Sequence, residues 1–406
     1  MRSVANPRPA QPVLRLALAL AFAFGQFAVS PRLVTAQQQS GDVVIKSPQA
    51  ILMDADTGAV LFQRNADQLV PPASMTRLMF LIMMFAALRS GELKLDADFL
   101  MSEYAWRTGG APSRIVSMYV PLGKTAKVEE LLKGIIVQSG NDAAISVAEN
   151  MMGNEALFAE AMTQAALRLG LKKSIFRNVT GLRHPGQVTT VREIAMLARH
   201  IIREYPEYYS MFAQREFFYR HHKFYNHNPL LGLVASVDGL VADPRTGFLR
   251  EAGFGIVASA KQDNRRLIIA ISGAATGDER RDDGRRLLEW GFKNFSEAKL
   301  FDAGEPVGYA RIWGGERMYM PLVGSGAISV VLPRHPANPK VSARIFYTGP
   351  LKPPLKKGEQ VATLRVTTAT DATSEVPLYA AQDVGRAGFM WRGLDSILYL
   401  ATRWLP

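Results

Sequence analysis

The sequence predicts an α+β domain followed by a small β-sandwich, and two observations lead to this prediction. Apolar strand-like runs lie near both ends of the first 295 residues, with helical segments between them. Beyond about residue 299 the helical periodicity disappears, and short alternating runs between Gly- and Pro-containing turns replace it. We therefore expect an α+β domain over residues 41–295 and a β-sandwich over residues 299–380.

The first domain is predicted to begin with a hairpin and to contain a buried central helix. Ile51–Met53 and Ala59–Phe62 are apolar runs on either side of a turn that contains a glycine. Met75–Leu88 is apolar on nearly every side, which is typical of a helix inside a domain. Further predicted helices are Val128–Val137, one capped by Asn141 and running to about Met152, Glu155–Leu169 and Val191–Ile202, and predicted adjacent strands are Gly255–Ala260 and Leu267–Ser272.

The second domain is predicted from alternating polar and apolar residues, and a distinct tail follows it. The alternation is clearest at 341–347 and 362–367. Residues 384–406 form a basic, amphipathic segment that suits a helix at a membrane interface. The same pattern suits a helix packed on its own domain, and the sequence leaves both interpretations open.

The N-terminus predicts export. Residues 1–36 combine four arginines, an apolar run from Leu16 to Phe24 and small residues up to Ala36, a pattern typical of a cleaved signal peptide. An uncleaved membrane anchor is the alternative. Removing this segment would lower the formal charge from +12 to +8. We expect a basic protein of the periplasm that meets anionic surfaces, sits peripherally on the inner membrane if the tail binds it, and has no nucleic-acid partner.

No cofactor or metal is expected. The chain has no cysteine, so thiolate and disulfide chemistry are excluded. His221, His222 and His227 are close in sequence, but their spacing matches no standard zinc pattern. We interpret them as a cluster of loop histidines.

Three short segments carry residues suited to acyl transfer: Ser74-Met-Thr-Arg77, Ser139-Gly-Asn141 and Arg245-Thr246-Gly247. A serine at a helix N-terminus lies at the positive end of the helix dipole, and position i+3 lies on the same face. Ser74 is therefore placed to act as a nucleophile if residue 77 supplies a base. Taken alone, Ser74 is better explained as a cap of the helix that follows.

The order of these segments resembles the Ser-x-x-Lys, Ser-x-Asn and Lys-Thr-Gly motifs of penicillin-recognising serine enzymes. The flanking segments ILMDADTGAVLF, PPASMTRLM, SEYAWRTGGAPS, QSGNDAA, NVTGL, SVDGL and AGFGIVASA narrow the resemblance to the low-molecular-mass D-Ala-D-Ala carboxypeptidases. The resemblance implies a transpeptidase domain of the penicillin-binding-protein and β-lactamase fold, a β-sandwich stalk and an amphipathic anchor. It also implies a peptidoglycan stem peptide as substrate and β-lactams as covalent inhibitors.

The resemblance assigns a role to each matching residue. Ser74 would be the acylated nucleophile, and Ser139 would help to move a proton to the leaving amine. Asn141 would hold the substrate amide. Arg245 and Thr246, with Gly247, would bind the terminal carboxylate of D-Ala. The oxyanion hole would combine the Ser74 N–H with an N–H from the strand after Gly247.

Two departures from the family pattern bear on activity. Arg77 stands where the family has lysine, and guanidinium cannot accept the serine proton. Four residues, Val241–Pro244, separate Asp-Gly-Leu from Arg245, and Pro244 removes one hydrogen-bond donor from the strand. Lys133, Lys261 and His184 are the other candidate bases, and each is interpreted as a surface or loop residue.

Three functions remain open at this point. The first is a periplasmic carboxypeptidase that trims terminal D-Ala from stem peptides through a Ser74 acyl-enzyme, impaired by Arg77. The second is a catalytically silent relative that binds wall peptides. The third is a β-lactamase on the same fold, which is disfavoured because no glutamate is marked for deacylation.

Overall fold

The computed structural model describes residues 43–241, 253–334, 341–368 and 373–402. The expected signal peptide and the Arg245-Thr-Gly247 segment lie outside these residues, as does the end of the tail. The chain forms two compact units. One comprises Val43–Ala298 with Val330–Pro339, and the other comprises Lys299–Ser329 with Lys340–Pro406.

The first unit contains helices around a central sheet, as an α+β domain requires. Its strands are β1 Gln49–Asp54, β2 Val60–Arg64, β3 Asp98–Leu100, β4 Thr125–Lys127, β5 Glu216–Tyr219, β6 His222–Tyr225, β7 Val237–Gly239, β8 Phe254–Gln262 and β9 Arg265–Ala274. Its helices are α1 Thr76–Ser90, α2 Glu103–Gly109, α3 Val128–Gln138, α4 Asn141–Met152, α5 Glu155–Arg168, α6 Val191–Glu204, α7 Pro206–Tyr209 and α8 Gly277–Asn294.

The central sheet has the strand order β2-β1-β9-β8-β7. β1 pairs antiparallel with both β2 and β9, and Gly58 has a φ of 75° in the turn between β1 and β2. The predicted hairpin and the predicted adjacent strands β8 and β9 are therefore confirmed. The sheet is buried on both faces, since Ile51 and Ile268 belong to one apolar cluster and Leu52 and Ile269 to another.

Helix α1 lies in the core of this unit, as its composition predicts. Ten of its fifteen residues are buried, and they are distributed around the helix. Residues 73–90 are apolar and long enough to cross a membrane, yet 67% of this stretch is buried inside the protein. The length and hydropathy of α1 are therefore explained by core packing. The helix ends at Gly91, whose φ of 79° supplies the left-handed C-cap.

The second unit is rich in β-structure. Two strands, β10 Phe295–Phe301 and β13 Ile328–Pro333, are divided between the two units. The other elements of the second unit are β11 Gly308–Arg311, β12 Tyr319–Val323, β14 Val341–Phe346, β15 Gln360–Thr368, β16 Thr373–Ala380 and the tail helix α9 Phe389–Thr402. Strands β11-β12-β16-β15-β14 form a five-stranded antiparallel sheet. The α+β fold class with a following β-rich domain is confirmed.

The tail helix is attached to the second unit through Asp395. This residue is 5% exposed, forms an ion pair with Arg311 and accepts a hydrogen bond from the Gly314 N–H at 2.7 Å. Asp395, an acidic residue within the amphipathic tail, is therefore the buried anchor of the helix. At the start of α9, Phe389 and Met390 are 90% and 88% exposed.

Candidate active site

Ser74 lies in the turn that leads into the buried helix α1. Residues Ala73–Met75 form one 3-10 turn, and α1 continues from Thr76 without interruption. Ala73 has a φ of 48°, a left-handed conformation that is uncommon for alanine. Ser74 itself is 9% exposed. The nucleophile predicted from the sequence is thus held in a strained turn at a helix N-terminus.

The Arg77 side chain bridges two of the predicted site segments. It is 1% exposed, so its charge is removed from water. Its Nη2 donates to the Ser139 carbonyl oxygen at 2.9 Å and to Asn141 Oδ1 at 2.7 Å. The structure therefore brings Arg77, Ser139 and Asn141 together, one helical turn from Ser74.

Asn141 serves in this bridge and does not cap α4. The N-cap of α4 is Gly140, which has no side chain, so the sequence prediction of an asparagine cap is wrong. The physical reason is that Asn141 Oδ1 accepts from Arg77, and Asn141 Nδ2 donates to the Val116 carbonyl oxygen at 2.8 Å. These two hydrogen bonds fix the orientation of the Asn141 side-chain amide. Ser139, two residues earlier, has a left-handed φ of 59°.

Asp142, which the sequence motifs did not single out, holds the chain segment that faces Asn141. Its carboxylate accepts hydrogen bonds from the backbone N–H groups of Met118 at 2.7 Å and Val120 at 3.2 Å. Burial raises the pKa of Asp142, and these backbone hydrogen bonds oppose the rise. The only sequence signal was an acidic residue directly after the Ser-x-Asn segment.

The loop between α5 and α6 packs directly against the Ser74 turn. Gly181 has a φ of 80°, and a Cβ built on it would lie 1.9 Å from the Ala73 carbonyl oxygen. Asn178 Oδ1 accepts from the Gly181 N–H at 2.8 Å, and Asn178 Nδ2 donates to the Leu182 carbonyl oxygen at 2.9 Å. The absence of a side chain at Gly181 therefore lets the loop support the nucleophile turn.

Glu155 ties this loop to the body of the domain. Its carboxylate accepts from the Val179 N–H at 3.0 Å and from the Tyr104 hydroxyl at 3.1 Å. Burial raises the pKa of Glu155 above 4.5, and the hydrogen bonds from Val179 and Tyr104 oppose the rise. Folding therefore strengthens proton binding at this carboxyl.

We expect Glu155→Gln to flatten the pH dependence of stability. Because the folded pKa of Glu155 is raised, the folded chain keeps its proton to higher pH than the unfolded chain. This carboxyl therefore lowers the free energy of unfolding as pH rises upward from about 4.5. Urea unfolding between about pH 4 and about pH 8 should show a less negative slope in the variant.

Glu160→Gln, on the exposed side of the same helix, is the matched control and should keep the slope of the wild type. Equal slopes for the wild type and Glu155→Gln would contradict the role assigned to Glu155.

The other candidate bases and ligands lie in ordinary surroundings. Lys133 forms an ion pair with Glu129 one turn earlier on α3, and Lys261 is exposed. His184 accepts from the Gly186 N–H within an exposed loop. Within the four described ranges, no group of three or more His, Asp or Glu side chains is arranged to hold a metal. Arg245, Thr246 and Gly247 lie outside the described residues.

Two family models match this chain, one over the α+β domain and the other over the β-rich domain that follows it. Residues 34–276 match the model described as D-alanyl-D-alanine carboxypeptidase, and residues 295–386 match penicillin-binding protein 5, C-terminal domain. The D-alanyl-D-alanine carboxypeptidase DacC of Escherichia coli is 33% identical over 381 residues, which cover 93% of this chain and 94% of that protein.

Solved structures give the same result. Penicillin-binding protein 5 of Haemophilus influenzae aligns with a TM-score of 0.73 and 30% identity, covering 86% of this chain and all of that one. Penicillin-binding protein D2 of Listeria monocytogenes, solved in its cefotaxime-bound form, aligns with a TM-score of 0.56 and 26% identity over 62% of this chain and all of that one. The chain is thus a penicillin-binding-type protein of two domains. It belongs to the D-alanyl-D-alanine carboxypeptidase family, as the sequence motifs predicted.

Proposed function

We propose that this chain binds D-Ala-D-Ala-terminated stem peptides of peptidoglycan and removes the terminal D-Ala through a Ser74 acyl-enzyme, at a rate that Arg77 keeps low. Family membership supports the reaction class. The observation that carries the proposal is the buried Arg77 guanidinium bonded to the Ser139 carbonyl and to Asn141 Oδ1, one turn from Ser74.

The arrangement suits nucleophilic attack by Ser74 in all but one respect. The helix N-terminus and a buried positive charge both favour the negative charge that develops on the serine oxygen and on the attacked carbonyl. The Ser74 proton, however, needs an acceptor, and Arg77 stays protonated under all ordinary conditions. Loss of a general base lowers a rate by about a hundred- to ten-thousand-fold, so turnover in this chain should be slow.

Substrate binding is assigned to Asn141 and to residues 245–247. Asn141 would contact the substrate amide, with its Oδ1 shared with Arg77. Arg245 and Thr246, next to Gly247, would bind the terminal carboxylate, because arginine pairs with carboxylates in bidentate fashion. Ser139 would pass a proton to the departing D-Ala. β-Lactams would acylate Ser74 by the same route and at a similarly reduced rate.

Release of D-Ala from a D-Ala-D-Ala-terminated pentapeptide tests this function. We expect slow release by the wild type, at roughly 10⁻² to 10⁻⁴ of the rate of Arg77→Lys, and none by Ser74→Ala. Binding of the same peptide, followed by calorimetry, should be similar in the wild type and Ser74→Ala. Equal release by Ser74→Ala and the wild type would refute the acyl-enzyme.

A second function, peptide binding without turnover, is favoured by one feature of the site. Arg77 donates to the Ser139 carbonyl and to Asn141 Oδ1, so it holds these two segments together while supplying no acceptor for the Ser74 proton. In this case the pentapeptide binds with the same affinity, but neither D-Ala release nor any acyl-enzyme is detected. The two functions are therefore distinguished by whether Ser74 reacts, since both predict that the pentapeptide binds.

We further propose that the protein acts in the periplasm. The basic and apolar pattern of residues 1–36 supports export. Phe389 and Met390, exposed at the start of α9, and Trp391, which is 49% exposed, suit contact with the membrane interface. The Asp395 anchor means that such contact would be made by a helix already attached to its own domain.

A further inference from the structure

A basic aromatic hairpin projects from the catalytic unit and has no role in the reaction described above. β5 and β6 pair in the register Phe217↔Phe224 and Phe218↔Lys223. Because side chains alternate across a strand, Phe217 and Phe224 face inward and are buried. The opposite side carries Phe218 and Tyr225, which are 62% and 61% exposed.

The outward side and the turn carry an excess of positive charge. Lys223 Nζ lies 5.0 Å from the Phe218 ring centroid and 5.3 Å from that of Tyr225, between the two exposed rings. Arg220 is exposed at the turn in a left-handed conformation with φ 53°. His221 is exposed beside it. Glu216, which pairs with Lys223 at 2.7 Å, is the one carboxylate in this hairpin.

The hairpin is continuous with the segment that faces Asn141. Its inner residues His222 and Phe224 contact the Tyr119 ring, with centroid distances of 5.0 and 6.3 Å. Tyr119 is 41% exposed and stands between the two residues whose N–H groups bind Asp142. β5 and β6 also pack against α3, which ends at the residue before Ser139.

The residues that follow β6 fasten the base of the hairpin to the segment before β5, to β7 and to the end of α3. Asn226 Nδ2 donates to the Gln214 carbonyl oxygen at 2.9 Å, and Asn228 Nδ2 donates to the Gly239 carbonyl oxygen at 3.2 Å. Between them, His227 Nε2 lies 3.2 Å from the carbonyl oxygen of Gln138, the residue before Ser139. The outward side of the hairpin is therefore held at a fixed position relative to the Ser139 segment.

We propose that the outward side of this hairpin, made of Phe218, Lys223 and Tyr225 with Arg220 at the turn, is a second binding surface for the peptidoglycan strand. The cations would pair with carboxylates of stem peptides next to the one in the cleft, and the exposed rings would pack on the apolar faces of its sugars. The inference rests on the proposed function, since both surfaces take the same polymer. Its continuity with the Asn141 segment favours the substrate polymer over a lipid surface.

Co-sedimentation of the purified protein with insoluble peptidoglycan tests the surface. The variant Arg220→Asn/Lys223→Gln removes two cations, and asparagine tolerates the left-handed turn. The matched control Lys94→Gln/Lys172→Gln removes two exposed cations elsewhere on the same unit. We expect the hairpin variant to bind roughly three- to tenfold more weakly and the control to bind like the wild type.

Two further measurements separate this surface from the catalytic site and from a membrane site. Binding of a soluble D-Ala-D-Ala pentapeptide, which occupies only the cleft, should be the same in the hairpin variant and the wild type. Undiminished peptidoglycan binding by the hairpin variant would overturn the inference and leave the proposed function standing. A wild type that neither binds nor cleaves the pentapeptide would refute the proposed function, while a hairpin-dependent loss of sedimentation would still support the surface.

Vesicles of phosphatidylglycerol supply the competing partner, because basic and aromatic side chains also suit a lipid interface. Loss of vesicle binding in the hairpin variant, with peptidoglycan binding retained, would overturn the inference in favour of a membrane contact.

Discussion

Replacing Arg77 by lysine should raise the rate of Ser74 acylation by about a hundred- to ten-thousand-fold. A lysine amine at this buried position is desolvated, which lowers its pKa and lets a neutral amine take the serine proton. It can also replace one of the two hydrogen bonds that Arg77 makes to the Ser139 carbonyl and to Asn141. The rate is measured with a fluorescent penicillin by rapid quenching.

Arg77→Lys could speed acylation either by supplying a general base or by removing the arginine side chain from Asn141, and Arg77→Gln distinguishes these two causes. Glutamine can donate to Asn141 Oδ1 but can neither carry charge nor accept the serine proton at neutral pH. Its acylation rate should remain at or below that of the wild type. An equal increase in Arg77→Gln and Arg77→Lys would show that Arg77 slows acylation by obstruction and not by its inability to act as a base.

Replacing Gly181 by alanine should produce the second large effect, in both stability and acylation. The new Cβ would lie 1.9 Å from the Ala73 carbonyl oxygen, and alanine is strained at a φ of 80°. The left-handed conformation costs about 1–2 kcal/mol, and overpacking costs about 1–3 kcal/mol more. The displaced turn would carry Ser74 with it, and a shift of about 1 Å lowers a rate by about a hundredfold.

Gly91→Ala is the matched control for Gly181→Ala. Gly91 caps the other end of α1 with a φ of 79°, and its Cβ would meet nothing within 4 Å. In Gly91→Ala the free energy of unfolding, measured with urea, should fall only by the conformational cost of about 1–2 kcal/mol. The acylation rate should not change. Acylation is best followed in an Arg77→Lys background, where the rate is expected to be high. Equal rates in the two glycine variants would show that the loop does not position Ser74.

The sequence predicted the elements that depend on local pattern. The hairpin of β1 and β2, the buried helix α1 and the adjacent strands β8 and β9 follow from hydrophobic periodicity and a glycine turn. Each of these predictions was confirmed because most residues of these segments are apolar and lie in the core. The motif order also predicted the family.

The contacts of the site depend on tertiary packing and could not be predicted in this way. Asn141 fits an N-cap by sequence, yet its Oδ1 accepts a hydrogen bond from Arg77, which comes from a different helix. Asp395 is a minor feature of an amphipathic segment by sequence, yet Arg311 and the Gly314 N–H make it an anchor. In both cases a residue distant in sequence decides what a short polar side chain binds.

The intact mass of the protein after incubation with benzylpenicillin tests the central claim most directly, with Ser74→Ala and Arg77→Lys measured beside the wild type. We predict slow addition of one penicilloyl group to the wild type, rapid addition to Arg77→Lys and none to Ser74→Ala. Addition to the wild type as fast as to Arg77→Lys would contradict the account, because Arg77 would then not limit acylation.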